Sequence, residues 1–309
     1  MYTGSPEIQK KAARFLEIDK PDAFLVLSLR LILLSVCITQ YPKSTYLSFL
    51  FIPGILFTGV LLNKYYWLVI SSIFSIFCAL YGLKYALDNH VHLFAILLIT
   101  GTITVYLYHD SKDWKSFFGT NTRITLGLIF LFATAGKLLT PEFRDGSFFE
   151  YLLFTFPDFK GISSILSGNE KTILAETNKL PNLLLSTKSP ATDIYILNSV
   201  PGIEMGARFL TYWTILIEGA IALLYLLPSR YRITNYRDIV LILFIITTYP
   251  FATVMGFART LMILAFICSA LRYEGTDQFK YPLIYLGIFV FITLFYLRFV
   301  EKLINLFIA

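Results

Sequence analysis

The sequence predicts an all-α polytopic bundle of eight or nine transmembrane helices, with a long external segment between the fifth and sixth spans. Three observations carry that expectation. Apolar windows of about 20 residues, the length a helix needs to cross ~30 Å of hydrocarbon, recur along almost the whole chain. Hydrophobic residues make up 56% of the sequence and charged residues only 15%, a balance foreign to soluble domains. Lysine and arginine gather in alternate connections, the bias that orients membrane helices.

In chain order, the spans are expected at 22–42, 46–63, 65–87, 90–108, 123–140, 205–228, 238–256, 257–272 and 281–307. The eighth is short, which leaves a count of eight or a re-entrant segment open. Residues 1–21 carry Lys10, Lys11, Arg14 and Lys20 without a cleavage-site pattern. They read as a cytoplasmic amphipathic segment on the membrane surface and not as a signal peptide. The spans form a first group, 22–140, and a second, 205–309. Between them, 141–204 sets eight acidic residues, from Glu142 to Glu204, against five basic ones, from Arg144 to Lys188. Basic residues in the amino terminus, at Lys64, at Lys112, Lys115 and Arg123, and at Arg230, Arg232 and Arg237 mark those connections as cytoplasmic. The 88–90 turn and 141–204 are then external. Apolar clusters such as FFEYLLFTF and LPNLLL predict that 141–204 folds as short helices capping the bundle.

The net charge of +6 follows this orientation pattern and gives no reason to expect nucleic acid. Cys37, Cys78 and Cys268 sit singly in separate spans, with neither a redox pair nor zinc-ligand spacing. With three histidines and no carboxylate cluster beside them, no metal site is expected.

Polar residues at membrane depth are the candidates for chemistry, because a charge in a spanning helix costs at least ~2.5–3.5 kcal/mol. Lys137 lies in LGLIFLFATAGKLLT, fourteen residues beyond Arg123, which places it ~21 Å along the helix and in the outer half. Desolvation turns such an ammonium toward a neutral amine able to act as a base. The alternative is a lysine snorkelling to the external interface. Gly136, just before it, lets a neighbouring backbone or a flat ligand come close. Asn89 is placed to cap the fourth span, with His90 in its first turn as a neutral imidazole. A structural His-x-His with His92 is the competing reading. Glu218, near mid-span in TYWTILIEGAIALLYLLP, needs a partner or a proton, and Arg30 and Arg259 are the candidate partners. Thr247-Thr248-Tyr249-Pro250 is expected to kink the seventh span and free a carbonyl that lines a cavity.

These marks, in this order, resemble the membrane portion of the vitamin K-dependent gamma-carboxylase and its bacterial relatives, the HTTM (horizontally transferred transmembrane) family. ALDNHVHLFAILL is similar to that family's Asn-Asn-His turn and the helix after it, and AGKLLTPEFRDGSFFEYL is similar to its lysine stretch. The likeness spans roughly 20–273 and is strongest in those two stretches. It implies that Lys137 is the base acting on a quinol, vitamin K hydroquinone or menaquinol, with His90 and Asn89 assisting. Gly136, Glu218 and Tyr249 would then line the cofactor site. Tyr249 stands where many family members carry a histidine, and the lysine stretch needs a one-residue insertion before Phe143. The chain ends at Ala309 without the carboxylase's large luminal domain, so glutamate carboxylation itself is not expected.

The resulting expectation is a bacterial inner-membrane protein in contact with lipid that uses a quinol to modify or mature a peptide or small protein at the external side. A smaller bacterial relative, which assists maturation of a secreted peptide, is the nearest analogue in size. Two alternatives stay open: a non-catalytic partner in peptide maturation or export, and a DoxX-like quinone-associated membrane protein.

Overall fold

Helices in this chain are long where proline is absent and short where proline or glycine interrupts. Prolines inside helices fall in first turns, at Pro21, Pro53, Pro141, Pro201 and Pro282, where the missing N–H is not needed. The computed structural model describes residues 21–40, 45–84, 89–110, 113–155, 159–168, 201–249, 255–272 and 279–296. Among these there is no strand. In order they form α1 (Pro21–Gln40), α2 (Thr45–Phe49), α3 (Ile52–Leu56), α4 (Thr58–Leu61), α5 (Lys64–Lys84), α6 (Asn89–His109) and α7 (Trp114–Leu139). There follow α8 (Pro141–Arg144), α9 (Ser147–Thr155), α10 (Lys160–Ser167), α11 (Pro201–Leu226), a 3₁₀ turn (Arg232–Tyr236), α12 (Arg237–Thr248), α13 (Met255–Ala270) and α14 (Lys280–Tyr296). Three segments, Val91–His109, Trp114–Leu139 and Pro201–Leu226, are each long and apolar enough to cross a membrane, as an integral membrane protein requires. The amino-terminal segment 1–20 lies outside the described residues.

The chain divides into two bodies, one of residues up to 123 with 255 onward, the other of 124–254. In the first body α1 packs against α6 and α13, α5 lies along α6, and α14 along α13. From Ala258 to Cys268 every residue of α13 is buried, which makes it the central helix.

The expected continuous span at 46–63 is instead three short helices. Hydropathy alone cannot see the breaks, and the backbone groups they free must be paired in an apolar medium, where each orphan costs several kcal/mol. Side chains do the pairing. The Tyr66 hydroxyl donates to the Leu50 carbonyl at 2.9 Å and accepts the Gly54 N–H at 3.2 Å. Trp67 Nε1 donates to the Leu61 carbonyl at 2.5 Å, and Asn63 Oδ1 accepts the Tyr65 N–H at 2.9 Å to start α5. Glycine is required at Gly54, where a Cβ would come within 2.7 Å of the Tyr66 ring. At Gly101 a Cβ would run into the Trp67 indole.

α7 starts at Trp114, not at the expected 123. The polar run after it reads as a connection, yet it is helical because its polar groups find partners. Asp113 Oδ1 accepts the Ser116 N–H at 3.1 Å, and Asn121 Nδ2 donates to Thr100 Oγ1 at 2.7 Å.

In the second body α9 and α10 pack on the first half of α11, burying Phe149, Leu153, Phe154, Phe159, Ile203 and Ala207 together. The described part of the long segment thus forms short helices, while 169–200 lies outside the described residues. α12 ends at Thr248, with Tyr249 at its C-cap still in helical geometry and donating its N–H to the Ile245 carbonyl. Pro250, where the kink is expected, lies outside the described residues. At the other end of α12, the buried Arg237 closes α11: Nε donates to the Leu224 carbonyl at 2.6 Å, Nη2 to the Leu227 carbonyl at 2.5 Å and Nη1 to Ser229 Oγ at 3.1 Å.

Candidate functional site

α7 and α11 run antiparallel in the second body. Gly127 meets the Leu226 side chain, and Gly219 faces Thr134, a Cβ there coming 3.6 Å from Thr134 Cγ2. The tight contact at Gly127, where a Cβ would come 2.6 Å from Leu226 Cγ, sets the register of what lies beyond. That register brings Lys137 to Glu218. Lys137 Nζ donates to Glu218 Oε2 at 2.5 Å, with side-chain exposures of 16% and 9%.

The partner of Glu218 is therefore Lys137 and not Arg30 or Arg259. Arg30 donates to Thr58 Oγ1 at 2.9 Å, and both arginines belong to the first body. Lys137 is ten residues past Gly127 and Glu218 eight before Leu226, so the pair lies ~12–15 Å from the end that Arg237 closes. The turn at that end exposes Tyr231, Ile233 and Tyr236 beside Arg230 and Arg232, an interfacial composition. Lys137 sits in the last turn of α7, and Glu218 lies past the middle of α11.

Geometry also disfavours snorkelling. Helical side chains tilt toward the helix amino terminus, so a lysine in the last turn of α7 points back along the helix. Its ammonium is covered by a group that sequence reasoning did not single out: Nζ lies 5.6 Å from the centroid of the Phe143 ring. That ring stacks on Phe148 at 4.1 Å, with Phe149 edge-on at 6.0 Å. The FFEYL run gave a signal for this cover, though not for its target.

Gly136 faces open space: a Cβ there would meet nothing within 4 Å. Gly136 is exposed, and the expected close approach of a neighbouring backbone is not seen among the described residues. Tyr249, just past the end of α12, is within electrostatic range of Glu218. Its hydroxyl and the Thr248 hydroxyl are buried with no hydrogen-bond partner among the described residues. Thr247 Oγ1 accepts from Trp213 Nε1 at 3.2 Å, which fixes this end of α12 against α11. At the mouth of the adjoining loop, Asp145 Oδ1 accepts the Ser147 N–H at 2.9 Å, and that bond holds the carboxyl below its usual range.

Asn89 and His90 open α6, in the first body, and their side chains lie outside the described residues. Lys137, Glu218, Gly136 and Tyr249 all belong to the second body. Among the described residues no group of three or more His, Cys, Asp or Glu side chains could hold a metal ion.

Compared with known proteins, the chain matches no protein-family model, no curated protein and no solved structure.

Proposed function

We propose that this is an integral membrane enzyme of the HTTM, gamma-carboxylase-like kind, in which Lys137 is the base for a quinol and the reaction serves modification or maturation of a peptide at the external face. The observation that carries the reading is the buried Lys137–Glu218 pair with open space beside it at Gly136. A flat aromatic diol needs room against a helix, a base, and polar atoms to receive its hydroxyls. Gly136, Lys137 and the unpartnered hydroxyls of Tyr249 and Thr248 fit those needs.

The quinol, vitamin K hydroquinone or menaquinol, would supply a phenolic proton and a pair of electrons. Lys137 must offer a free lone pair to take that proton. A proton that crosses the 2.5 Å contact to Glu218 leaves an uncharged pair and a neutral amine on Lys137. Removing both charges suits an apolar interior, where isolated ions are costly. Phe143, Phe148 and Phe149 keep water from the amine on their side. The same proposal includes eight or nine membrane crossings, a cytoplasmic amino terminus in a bacterial inner membrane, and assisting roles for His90 and Asn89.

A second reading has its own support. A lysine already paired with a glutamate can serve purely as a brace, as it would in a non-catalytic maturation or export partner. Quinol consumption by membranes holding the full chain, measured with Lys137→Arg, separates the two. Guanidinium keeps the ion pair but does not deprotonate in a protein, so the enzyme reading expects consumption to be lost while protein level holds. Near-normal consumption by Lys137→Arg overturns general-base catalysis. No consumption by the unaltered chain, with peptide maturation intact, favours the partner.

A further inference from the structure

We propose that Arg30 and Thr58 bind the phosphodiester of a membrane phospholipid. Arg30 lies near the middle of α1, nine residues from Pro21. An arginine at such a depth is expensive without an anion. Among the described residues no carboxylate pairs with it. Its one partner is neutral: Nη2 donates to Thr58 Oγ1 at 2.9 Å, and Nε is buried with no hydrogen-bond partner.

What surrounds Thr58 says where an anion would come from. Leu56, Phe57, Thr58 and Gly59 are all exposed, and a Cβ at Gly59 would meet nothing within 4 Å. The opening therefore faces the bilayer. Six residues beyond Thr58, Lys64 Nζ sits 5.6 Å from the Tyr65 ring and 5.5 Å from the Tyr106 ring. Tyr108 meets Trp114 edge-on at 6.0 Å in the same body. Lysine among tyrosine and tryptophan is the composition of a headgroup interface. At a helical rise, six residues put Thr58 about 9 Å from that level, within reach of a headgroup drawn inward and an arginine extended toward it. Guanidinium offers two parallel N–H donors to a phosphate, and the Thr58 hydroxyl holds one arm of that fork in place. Water-soluble phosphate shares the chemistry, but the lipid-facing opening favours the phosphodiester of a lipid.

The test uses the full chain, purified in a neutral detergent and stripped of lipid. It is titrated separately with phosphatidylglycerol, with a glucosyl diacylglycerol of the same chains that has no phosphate, and with inorganic phosphate. Native mass spectrometry reads bound lipid and thermal unfolding reads stabilisation. We expect one retained phosphatidylglycerol that raises the unfolding temperature, about tenfold weaker retention of the glycolipid, and no stabilisation by inorganic phosphate. Arg30→Gln should weaken phosphatidylglycerol about tenfold. Thr58→Val and Gly59→Leu, which leave Arg30 in place, should each weaken it several-fold and serve if Arg30→Gln fails to fold. Equal retention of phosphatidylglycerol by the unaltered chain and these variants overturns the site. Equal retention of the glycolipid overturns the phosphate as the recognised group, and equal stabilisation by inorganic phosphate overturns the lipid as its source.

Discussion

Replacing Glu218 by leucine would leave the Lys137 ammonium without its carboxylate at a position where the lysine side chain keeps only 16% of its exposure. Removing one member of a buried ion pair costs ~3–5 kcal/mol. A lone lysine costs ~2.5–3.5 kcal/mol at the centre of a membrane helix and less toward its end, and Lys137 is in the last turn of α7. The Phe143 ring at 5.6 Å still attracts the cation, which argues for the lower end. A loss of about 3 kcal/mol is therefore expected for Glu218→Leu. Lys137→Met together with Glu218→Leu should recover most of it, ending within about 1 kcal/mol of the unaltered chain, because apolar pairs replace buried ion pairs with little loss. Equilibrium unfolding of all four proteins in one detergent closes the double-mutant cycle. A coupling energy below about 0.5 kcal/mol would show that the two groups do not depend on each other and would refute the reasoning.

Arg237→Lys should destabilise nearly as much as Arg237→Ala, by about 2–4 kcal/mol, since one ammonium cannot reach the three acceptors at Leu224, Leu227 and Ser229; chemical unfolding of the two variants compares them. Tyr66→Phe removes the hydroxyl that bridges Leu50 and Gly54 and should cost about 2 kcal/mol, with faster amide exchange at Gly54 as the local sign. Gly136→Ala should hold or raise the unfolding temperature, because the space is open and alanine favours helix by about 0.5–1 kcal/mol, yet it should weaken any flat ligand beside Lys137, read as a higher quinol concentration for half-maximal consumption. Asp145 has a depressed folded-state value, so its bond to Ser147 is in place above the ordinary carboxylate range and is lost only as pH falls through the lowered value. Protection of the Ser147 amide, corrected for intrinsic exchange, should persist through the ordinary range; loss at or above it would contradict this.

What the sequence made legible, and what it hid, divides along one physical line. Span 90–108 corresponds to α6, Asn89–His109, because a run with a single glycine and no proline leaves hydropathy as the deciding term. The same measure failed at 46–63, where Pro53, Gly54 and Gly59 let the helix break and where only Tyr66 and Trp67, later in the chain, make the break tolerable. It failed again before Arg123, where Asn121 spends its polarity on Thr100 inside the bundle. Lys137 and Glu218 both stood out as charges in apolar runs, but their pairing depends on the register set at Gly127. A single sequence gives no sight of such registers.

The segment 45–61 has a consequence for how the protein is made. Its breaks are closed by hydroxyl and indole groups on α5, which leave the ribosome only after the segment itself has been synthesised. Until Tyr66 and Trp67 arrive, the carbonyls of Leu50 and Leu61 lack the donors that close these breaks, so on the proposed reading that 45–61 enters the bilayer its release into lipid alone is costly. On the same reading, residues 45–84 are expected to leave the insertion channel together, and a pause in translation between Leu61 and Tyr66 would hold the first part back at the channel.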